Sequence, residues 1–262
     1  ELRDEVNRDI NDKVRLWTGL RDWKAMATEW ADVPFQAKLE HTTVNEQIAK
    51  FATVAKQVSR TQSKNPVVPK LRSMVDEWRN YYPIIQALKN PKLRDWSEID
   101  EVLGRVVDPS TQLERNLSEI HDWNFGILIN HDIVNFREDI IRISLTATEV
   151  DKLDVMLQKI TYEWQGATAV EFTVNQHKDH KDTYVLSGQS VEDVQAKLDD
   201  SLVVVSTIAA SKYCIGSTKN LSDKLEADLR FMQDTLDKWL EFQRNWMYLE
   251  NIFASTEIRN LW

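Results

Sequence analysis

Apolar side chains recur at spacings of three and four residues along most of the chain, which is the period of an amphipathic α-helix. Turn residues such as Pro34, Pro66 and Gly104 interrupt the pattern. Pro83 predicts a break or kink, because proline lacks the backbone N–H donor. Thr111-Gln112-Leu113-Glu114 has the form of a capping box and predicts the start of a further helix. The long predicted helices cover 1–31, 44–60, 68–81, 133–164, 190–210 and 220 onward.

The last predicted helix carries the strongest apolar pattern. Five large apolar residues stand seven positions apart on it: Leu225, Met232, Trp239, Trp246 and Phe253. Side chains at this spacing lie on one side of a helix. We therefore expect Trp239 and Trp246 to form a stiff edge that packs against other helices.

The period changes to two between residues 170 and 186, which is typical of β-strands. Apolar and polar residues alternate over 170–174, a second strand-like run covers 182–186, and the intervening 175–181 is polar. The pattern predicts one β-hairpin. Because an isolated hairpin is only marginally stable in water, we expect it to pack against a helix or a partner.

Composition agrees with a helical protein. Only six glycines and six prolines occur in 262 residues, so helix breakers are few. We predict a mainly α fold, an elongated multi-helix bundle or rod with one inserted β-hairpin. The join near 104–130 is the weakest, since glycines and Pro109 interrupt it. We place the subdomain boundary there, with helical subdomains 1–104 and 105–262, and the second holds the hairpin near 170–186 and the long C-terminal helix.

Charge and cysteine content narrow the possible partners. The net charge is −9, which argues against nucleic acid because binding phosphates requires clustered Lys and Arg. No apolar run approaches the eighteen residues of a membrane span, so we expect no membrane partner. Cys214 is the only cysteine, which suits a reducing compartment. The chain begins without Met, and we expect it to be an internal fragment of a longer protein.

Candidate chemistry is concentrated in the polar part of the predicted hairpin. His177 and His180, with Asp179 and Asp182, offer imidazole and carboxylate groups within reach of a metal. A solvated polar turn explains these residues better, because a flexible tip preorganises nothing and a third firm ligand is missing. The chain also lacks a phosphate-binding glycine loop. We therefore expect no catalytic residue, no metal site and no cofactor in this segment.

The C-terminal pattern resembles that of a known family. Trp-x-x-x-Gln-Arg-x-Trp-x-Tyr-Leu-Glu-x-Ile-Phe, read from Trp239 to Phe253, is similar to the signature of the dynein heavy-chain linker. Residues 71–96 and 140–164 resemble further segments of that linker, although Lys89 and Asp95 stand where the family usually has Arg and His. The form of the signature favours the axonemal heavy chains over the cytoplasmic one. The signature residues are Trp164, Trp239, Gln243, Trp246, Tyr248, Leu249 and Phe253.

The resemblance implies a mechanical part without a catalytic site. In this family the linker is a lever that crosses the AAA+ ring of the same heavy chain and bends as the ring hydrolyses ATP. ATP and Mg²⁺ would then be held in the ring, and the tail and associated dynein subunits would be reached only indirectly. The resemblance places such a chain in the cytoplasm, on the cytoskeleton of a ciliary or flagellar axoneme. At a net charge of −9, we expect no direct contact between this segment and the acidic microtubule.

The resemblance also assigns roles within the hairpin. The hairpin of this family contacts the ring, which implies that the tip residues meet the ring: Gln176, His177, Lys178, Asp179 and His180. It further implies that four apolar residues seat the hairpin on the chain's own helices: Phe172, Val174, Tyr184 and Leu186.

A static α-helical scaffold, similar to spectrin or to a tethering complex, is the alternative interpretation. Such a scaffold would bind partner helices through its tryptophan stripes. Tandem bundles would show an internal repeat and would have no need of a single hairpin. The chain shows no repeat and one predicted hairpin, so the pattern favours the lever.

Overall fold

The structure, a computed structural model, describes residues 2–165, 170–178 and 183–253. Most of these residues lie in helices, and the prediction of a mainly α multi-helix fold is confirmed. The described strands are short and form two separate antiparallel ladders. The chain divides into two compact units, Glu1–Thr148 and Glu149–Trp262.

Four helices open the first unit: α1 (Leu2–Asp32), α2 (Phe35–Lys38), α3 (His41–Thr61) and α4 (Val67–Leu88). The buried positions of α3 follow the predicted spacing of three and four residues: Val44, Ile48, Phe51, Ala55 and Val58. α1 packs against both α3 and α4. Each long helix therefore buries one apolar side in a common core, as its sequence pattern indicated.

Aromatic side chains fill the centre of the first unit. Trp23 of α1 is fully buried, and its ring centroid lies 5.8 Å from that of Trp30 and 5.3 Å from that of Phe51. Trp30 in turn lies 5.1 Å from Trp78 of α4. Phe125, from a later segment, lies 6.1 Å from Trp78. These tryptophans therefore act as core residues that join α1, α3 and α4.

α4 passes through Pro83 and ends only at Leu88, so the predicted break at the proline does not occur. Proline inside a helix costs about 3 kcal/mol. The residues that follow it, Ile84, Ile85 and Leu88, are almost completely buried. Burial of each such side chain contributes about 1.5–3 kcal/mol, so tertiary packing outweighs the local preference.

The segment after α4 departs most from the prediction. α5 (Ser97–Leu103) stops at Gly104, whose φ of 66° favours glycine. Two short strands follow, β1 (Val106–Val107) and β2 (Glu114–Arg115), and they pair antiparallel. The predicted helix start at 111–114 is therefore wrong, and the fold has a second ladder in addition to the predicted hairpin.

Asp108 explains why a turn at 109–111, and not a helix start, precedes β2. Its carboxylate accepts hydrogen bonds from the Ser110 hydroxyl at 2.6 Å and from the Thr111 hydroxyl at 2.8 Å. The hydroxyl that would have capped a helix is thus bonded to a residue before it. α6 (Phe125–Asn130) lies beyond this ladder, and the Asn124 side chain caps it by accepting the backbone N–H of Ile127.

The compact units divide the chain at a different position from the predicted subdomains. Residues 105–148 group with the first unit. Phe125 lies in its core, with its ring centroid 5.8 Å from Phe35 and 5.7 Å from Tyr81. The division into subdomains at position 104 stays a prediction. In this structure, residues on both sides of that position share one core.

A polar contact also ties the end of this unit to α4. The side-chain amide of Asn90 donates to the backbone carbonyl of Ser144 at 2.9 Å and to the Thr148 hydroxyl at 2.8 Å. Its amide oxygen accepts the backbone N–H of Lys92 at 3.0 Å. Asn90, which Pro91 follows, therefore closes the turn after α4 and anchors it to the helix that carries Ser144.

The second unit contains the remaining elements: the end of α7 (Arg137–Gln165), β3 (Val174–Gln176), β4 (Tyr184–Leu186), α8 (Gly188–Ala209) and α9 (Gly216–Phe253). Its core is aliphatic and includes Leu157, Val205 and Leu229. Two buried polar contacts support it. The Trp164 indole N–H donates to the Ser201 hydroxyl at 3.0 Å, and the Thr218 hydroxyl donates to Asp154 at 2.6 Å.

Burial changes along α9. Leu225, Leu229 and Leu236 are buried in the first part of the helix. Farther along, Trp239 is 59% exposed and Phe253 is 62% exposed. Of the five residues spaced by seven, Leu225 is buried and Trp246 is half-buried, whereas Met232 is 39% exposed. The predicted packed edge is therefore wrong at Trp239.

Candidate functional site

The candidate site is the hairpin of β3 and β4, which lies within the predicted region 170–186, although its first strand covers Val174–Gln176 and not 170–174. Val174 is opposite Leu186, and Gln176 is opposite Tyr184. The backbone N–H of His177 donates to the carbonyl of Thr183 at 2.9 Å and extends the pairing. Because residues directly opposite one another share a face, one face carries Val174, Gln176, Tyr184 and Leu186, and the other carries Asn175, His177, Thr183 and Val185.

The packing of α8 on α9 determines where the hairpin lies. Gln195 contacts Asp237 at 3.4 Å, and Asp199 contacts Gln233 at 3.0 Å, so the two helices run antiparallel. In this register the first turn of α8 lies beside the turn of α9 that contains Gln243. Farther along α9, the hairpin takes the place of α8 as the covering element.

Contacts between α9 and the described part of the hairpin include those of Gln243, Trp246 and Glu250. The side-chain oxygen of Gln243 accepts the backbone N–H of Leu186 at 2.9 Å. The ring of Trp246 lies 5.3 Å from that of His177, at an interplanar angle of 64°. Glu250 lies 3.4 Å from the His177 ring nitrogen and accepts a hydrogen bond from the Lys178 ammonium at 2.7 Å.

The predicted tip residues have different environments. Gln176 is exposed, whereas His177 is only 8% exposed and Lys178 pairs with Glu250. His177 packs on α9 in this structure, and its assignment as a ring-contact residue stays a prediction. Asp179 and His180 lie outside the described residues.

The predicted seating residues divide into two pairs. Leu186 is half-buried and Phe172 is 42% exposed, and both line an apolar groove together with residues of α8 and α9. Val174 and Tyr184 are 52% and 60% exposed, so the described helices do not bury them, and their seating role stays a prediction. The alternation identified which residues share a face, but not that residues of both faces would contact α9. His177, on the face opposite Leu186, packs on Trp246 and gave no apolar signal.

The groove beside the hairpin has a volume of about 360 Å³. It belongs wholly to the second unit, and its walls come from α7, the hairpin, α8 and α9. The lining side chains are mostly apolar and include Trp164, Phe172, Leu186, Leu198, Met232 and Trp239. The exposed Trp239 therefore forms one wall of a groove.

The signature residues, which lie on α7 and α9, differ in how far they are buried. Gln243 and Trp246 are half-buried under the hairpin, and Trp164 is half-buried with Lys197 5.2 Å above its ring. The others are exposed: Trp239, Tyr248, Leu249 and Phe253. The signature thus combines residues that hold the hairpin with residues on the open side of the helix.

Sequence reasoning overlooked Glu250 as a site residue. It lies seven positions after Gln243, and so on the same side of the helix. A lone carboxylate following an apolar stripe at this spacing was the available signal. Its partners, His177 and Lys178, lie more than seventy residues away in sequence, and only the folded chain shows the pairing.

The described residues offer little else that could carry chemistry. Among them, no group of three or more His, Cys, Asp or Glu side chains is arranged to hold a metal. None of the described helices combines the length and apolarity that crossing a membrane requires. Cys214 is buried.

Comparison with known proteins decides the family. The model of the family described as "Dynein heavy chain, N-terminal region 2" matches residues 3–262. The chain belongs to this dynein heavy-chain family. The resemblance inferred from the C-terminal signature is thereby confirmed.

Curated dynein relatives match nearly the whole chain. Dynein axonemal heavy chain 6 of Homo sapiens is 32% identical over 263 residues, which covers 99% of this chain and 6% of that protein. Dynein axonemal heavy chain 1 of Rattus norvegicus is 28% identical, covering 96% of this chain and 5% of that protein. Dynein-1-beta heavy chain, flagellar inner arm I1 complex, of Chlamydomonas reinhardtii is 26% identical, with the same coverage. The chain therefore spans about a twentieth of the length of these dynein heavy chains.

Proposed function

We propose that this chain is a linker segment of an axonemal dynein heavy chain and acts as a non-catalytic lever. The observation that carries the proposal is the match to the N-terminal dynein region over residues 3–262. As a lever it crosses the AAA+ ring of its own heavy chain and bends with the ATPase cycle. ATP and Mg²⁺ belong to the ring, and the tail and associated subunits receive the motion.

The secondary structure supports a mechanical role. α7 contains 29 residues and α9 contains 38 residues. At 1.5 Å per residue, α9 is about 57 Å long. A continuous hydrogen-bonded helix transmits force along its axis with little loss, whereas glycine-rich joints would bend. Bending of a lever then takes place at discrete joins between elements.

The relatives support the cellular setting of the proposal. Their names place them among axonemal and flagellar dyneins. We accordingly assign this chain to a dynein complex on the axonemal cytoskeleton. Its net charge of −9 makes direct contact with the acidic microtubule unfavourable, so another part of the heavy chain grips the track.

The hairpin is the proposed contact with the AAA+ ring. Gln176 is exposed next to the tip and is therefore suited to report such a contact. His177 and Lys178 serve the packing on α9, as their positions indicate. The ring contact then involves the outward face of the hairpin and the residues beyond Lys178.

A cross-linking experiment tests the lever. In the heavy chain that carries this segment, Cys214→Ser removes the segment's only cysteine and Gln176→Cys places a thiol beside the tip. A thiol-to-amine cross-linker should join it to the AAA+ ring, with a yield that differs between ATP-analogue and nucleotide-free states. The matched control is Asp228→Cys, which is exposed on α9 about 22 Å along the helix from Gln243.

The two interpretations give different outcomes. A yield that changes with nucleotide at Gln176→Cys and stays low at Asp228→Cys supports a moving lever. Absence of any cross-link to the ring in every nucleotide state contradicts the hairpin contact and favours a static scaffold.

A further inference from the structure

We propose that Gln243, Trp246 and Glu250 form a clamp that makes the hairpin and the C-terminal part of α9 move as one body. The clamp itself follows from the geometry of the second unit alone. Its use in a motor, where it would pass a displacement of the hairpin directly to α9, rests on the proposed function.

The clamp holds the hairpin at two ends. Gln243 accepts the backbone N–H of Leu186, close to where β4 leads into α8. Glu250 contacts His177 and Lys178, which follow β3 at the opposite end of the hairpin. Two anchors spaced two helical turns apart resist rotation about either one, which a single contact cannot do.

The Gln243 side chain holds the hairpin through a backbone group of the hairpin. The Leu186 N–H is on the strand edge that faces the helix, and without an acceptor it would be a half-buried unpaired donor. An aliphatic residue at 243 would continue the apolar stripe of α9, but it would leave this donor unpaired. Along α9, positions 236 and 240 are leucine and position 243 is glutamine. The glutamine thus stands where a strand of the hairpin, and no longer α8, covers α9.

The anchor at Glu250 is partly shielded from solvent. The Glu250 side chain is 17% exposed, and the imidazole that lies over Trp246 is 9% exposed. Trp246 stands between the two polar anchors and supplies an aromatic surface for His177. The Lys178–Glu250 ion pair, with the lysine 45% and the glutamate 17% exposed, is less screened by salt than a fully exposed pair.

Distance measurements between two spin labels test the clamp in the 262-residue chain. Labels go on Tyr184→Cys of the hairpin and Phe242→Cys of α9, both exposed, with Cys214→Ser. The labelled chain with the clamp residues unchanged should give one narrow distribution of distances between the labels. The distribution should stay narrow at high salt. Gln243→Ala and Glu250→Ala should each broaden the distribution at least twofold.

Two further variants separate the clamp from a general loss of stability. Glu241→Ala, an exposed position on the same helix, should leave the distribution narrow. The exchange of charges in Lys178→Glu with Glu250→Lys should restore most of the narrowing lost in Glu250→Ala. Rescue of this kind depends on the pairing itself and not on the stability of α9.

Two results would overturn the proposal. One is an unchanged distribution in both Gln243→Ala and Glu250→Ala. The other is failure of the charge exchange to restore the narrow distribution while circular dichroism shows α9 intact. Because this experiment contains no AAA+ ring, its failure leaves the lever proposal standing, and absence of a ring cross-link leaves the clamp standing.

Discussion

Phe125→Ala should destabilise the whole first unit, although Phe125 lies twenty-one positions after the predicted boundary at 104. The side chain is fully buried, and its ring centroid is within 6.1 Å of those of Trp78, Tyr81 and Phe35. Removal of a buried phenylalanine side chain typically costs about 3–5 kcal/mol. We expect a loss near the middle of that range, since three aromatic neighbours lose a partner.

The size of this loss of stability tests whether the residues on both sides of position 104 unfold together. A folded unit is typically stable by about 5–15 kcal/mol, so the substitution removes a large fraction of the total. If residues 105–148 share one core with α1 and α4, then hydrogen exchange should accelerate in α4 as much as in α6. The two compact units can unfold separately, so each needs its own probe.

Urea unfolding followed by tryptophan fluorescence and by hydrogen exchange of individual peptides provides the assay. Phe231→Ala is the matched control, because this phenylalanine is 72% exposed and its loss should change stability by no more than about 0.5 kcal/mol. A loss below about 1 kcal/mol for Phe125→Ala, or faster exchange confined to residues after 104, would refute the single shared core.

Two further predictions concern polar contacts of the first unit. Hydrogen bonds from Ser110 and Thr111 hold the pKa of Asp108 at about 2, below its ordinary value of 3.8. The contribution of this carboxylate to stability is therefore present above about pH 4 and lost as the pH falls toward 2, and Asp108→Asn should flatten that part of a plot of melting temperature against pH. A slope between pH 4 and 2 that is the same in both proteins would contradict this role. Asn90→Ala removes the side-chain amide that donates to the Ser144 carbonyl and the Thr148 hydroxyl, and it should lower the free energy of unfolding by about 1–3 kcal/mol. Asn65→Ala, which loses one local turn bond, serves as the control in the same urea titration.

Local sequence patterns were sufficient to locate most helices. The hydrogen bonds of a helix join residues four apart, so the spacing of Val44, Ile48 and Phe51 already reports both the helix and its buried side. The β3–β4 hairpin was found for the same reason, since strand alternation is local. Membership of the dynein family also followed from the sequence. The signature from Trp239 to Phe253 is one continuous stretch within a single helix, so no distant residue is needed to recognise it.

Local patterns were not sufficient where a competing contact decides the outcome. Residues 111–114 match a capping box, yet Asp108 takes the Thr111 hydroxyl and a strand forms. Pro83 signals a helix end, yet the packing of Ile84 and Ile85 carries α4 past it. In each case tertiary or side-chain contacts outweigh a local preference worth at most a few kcal/mol.

The candidate site shows the same division. The sequence by itself determined that a hairpin precedes a long amphipathic helix, and that Trp239 and Trp246 stand two turns apart on that helix. Only the tertiary structure decided that the hairpin covers Trp246, that Trp239 stays more than half exposed, and that His177 lies buried beside Glu250. The physical reason is that periodicity identifies residues that share a face, whereas burial depends on which distant segment meets that face and how far along the helix it extends.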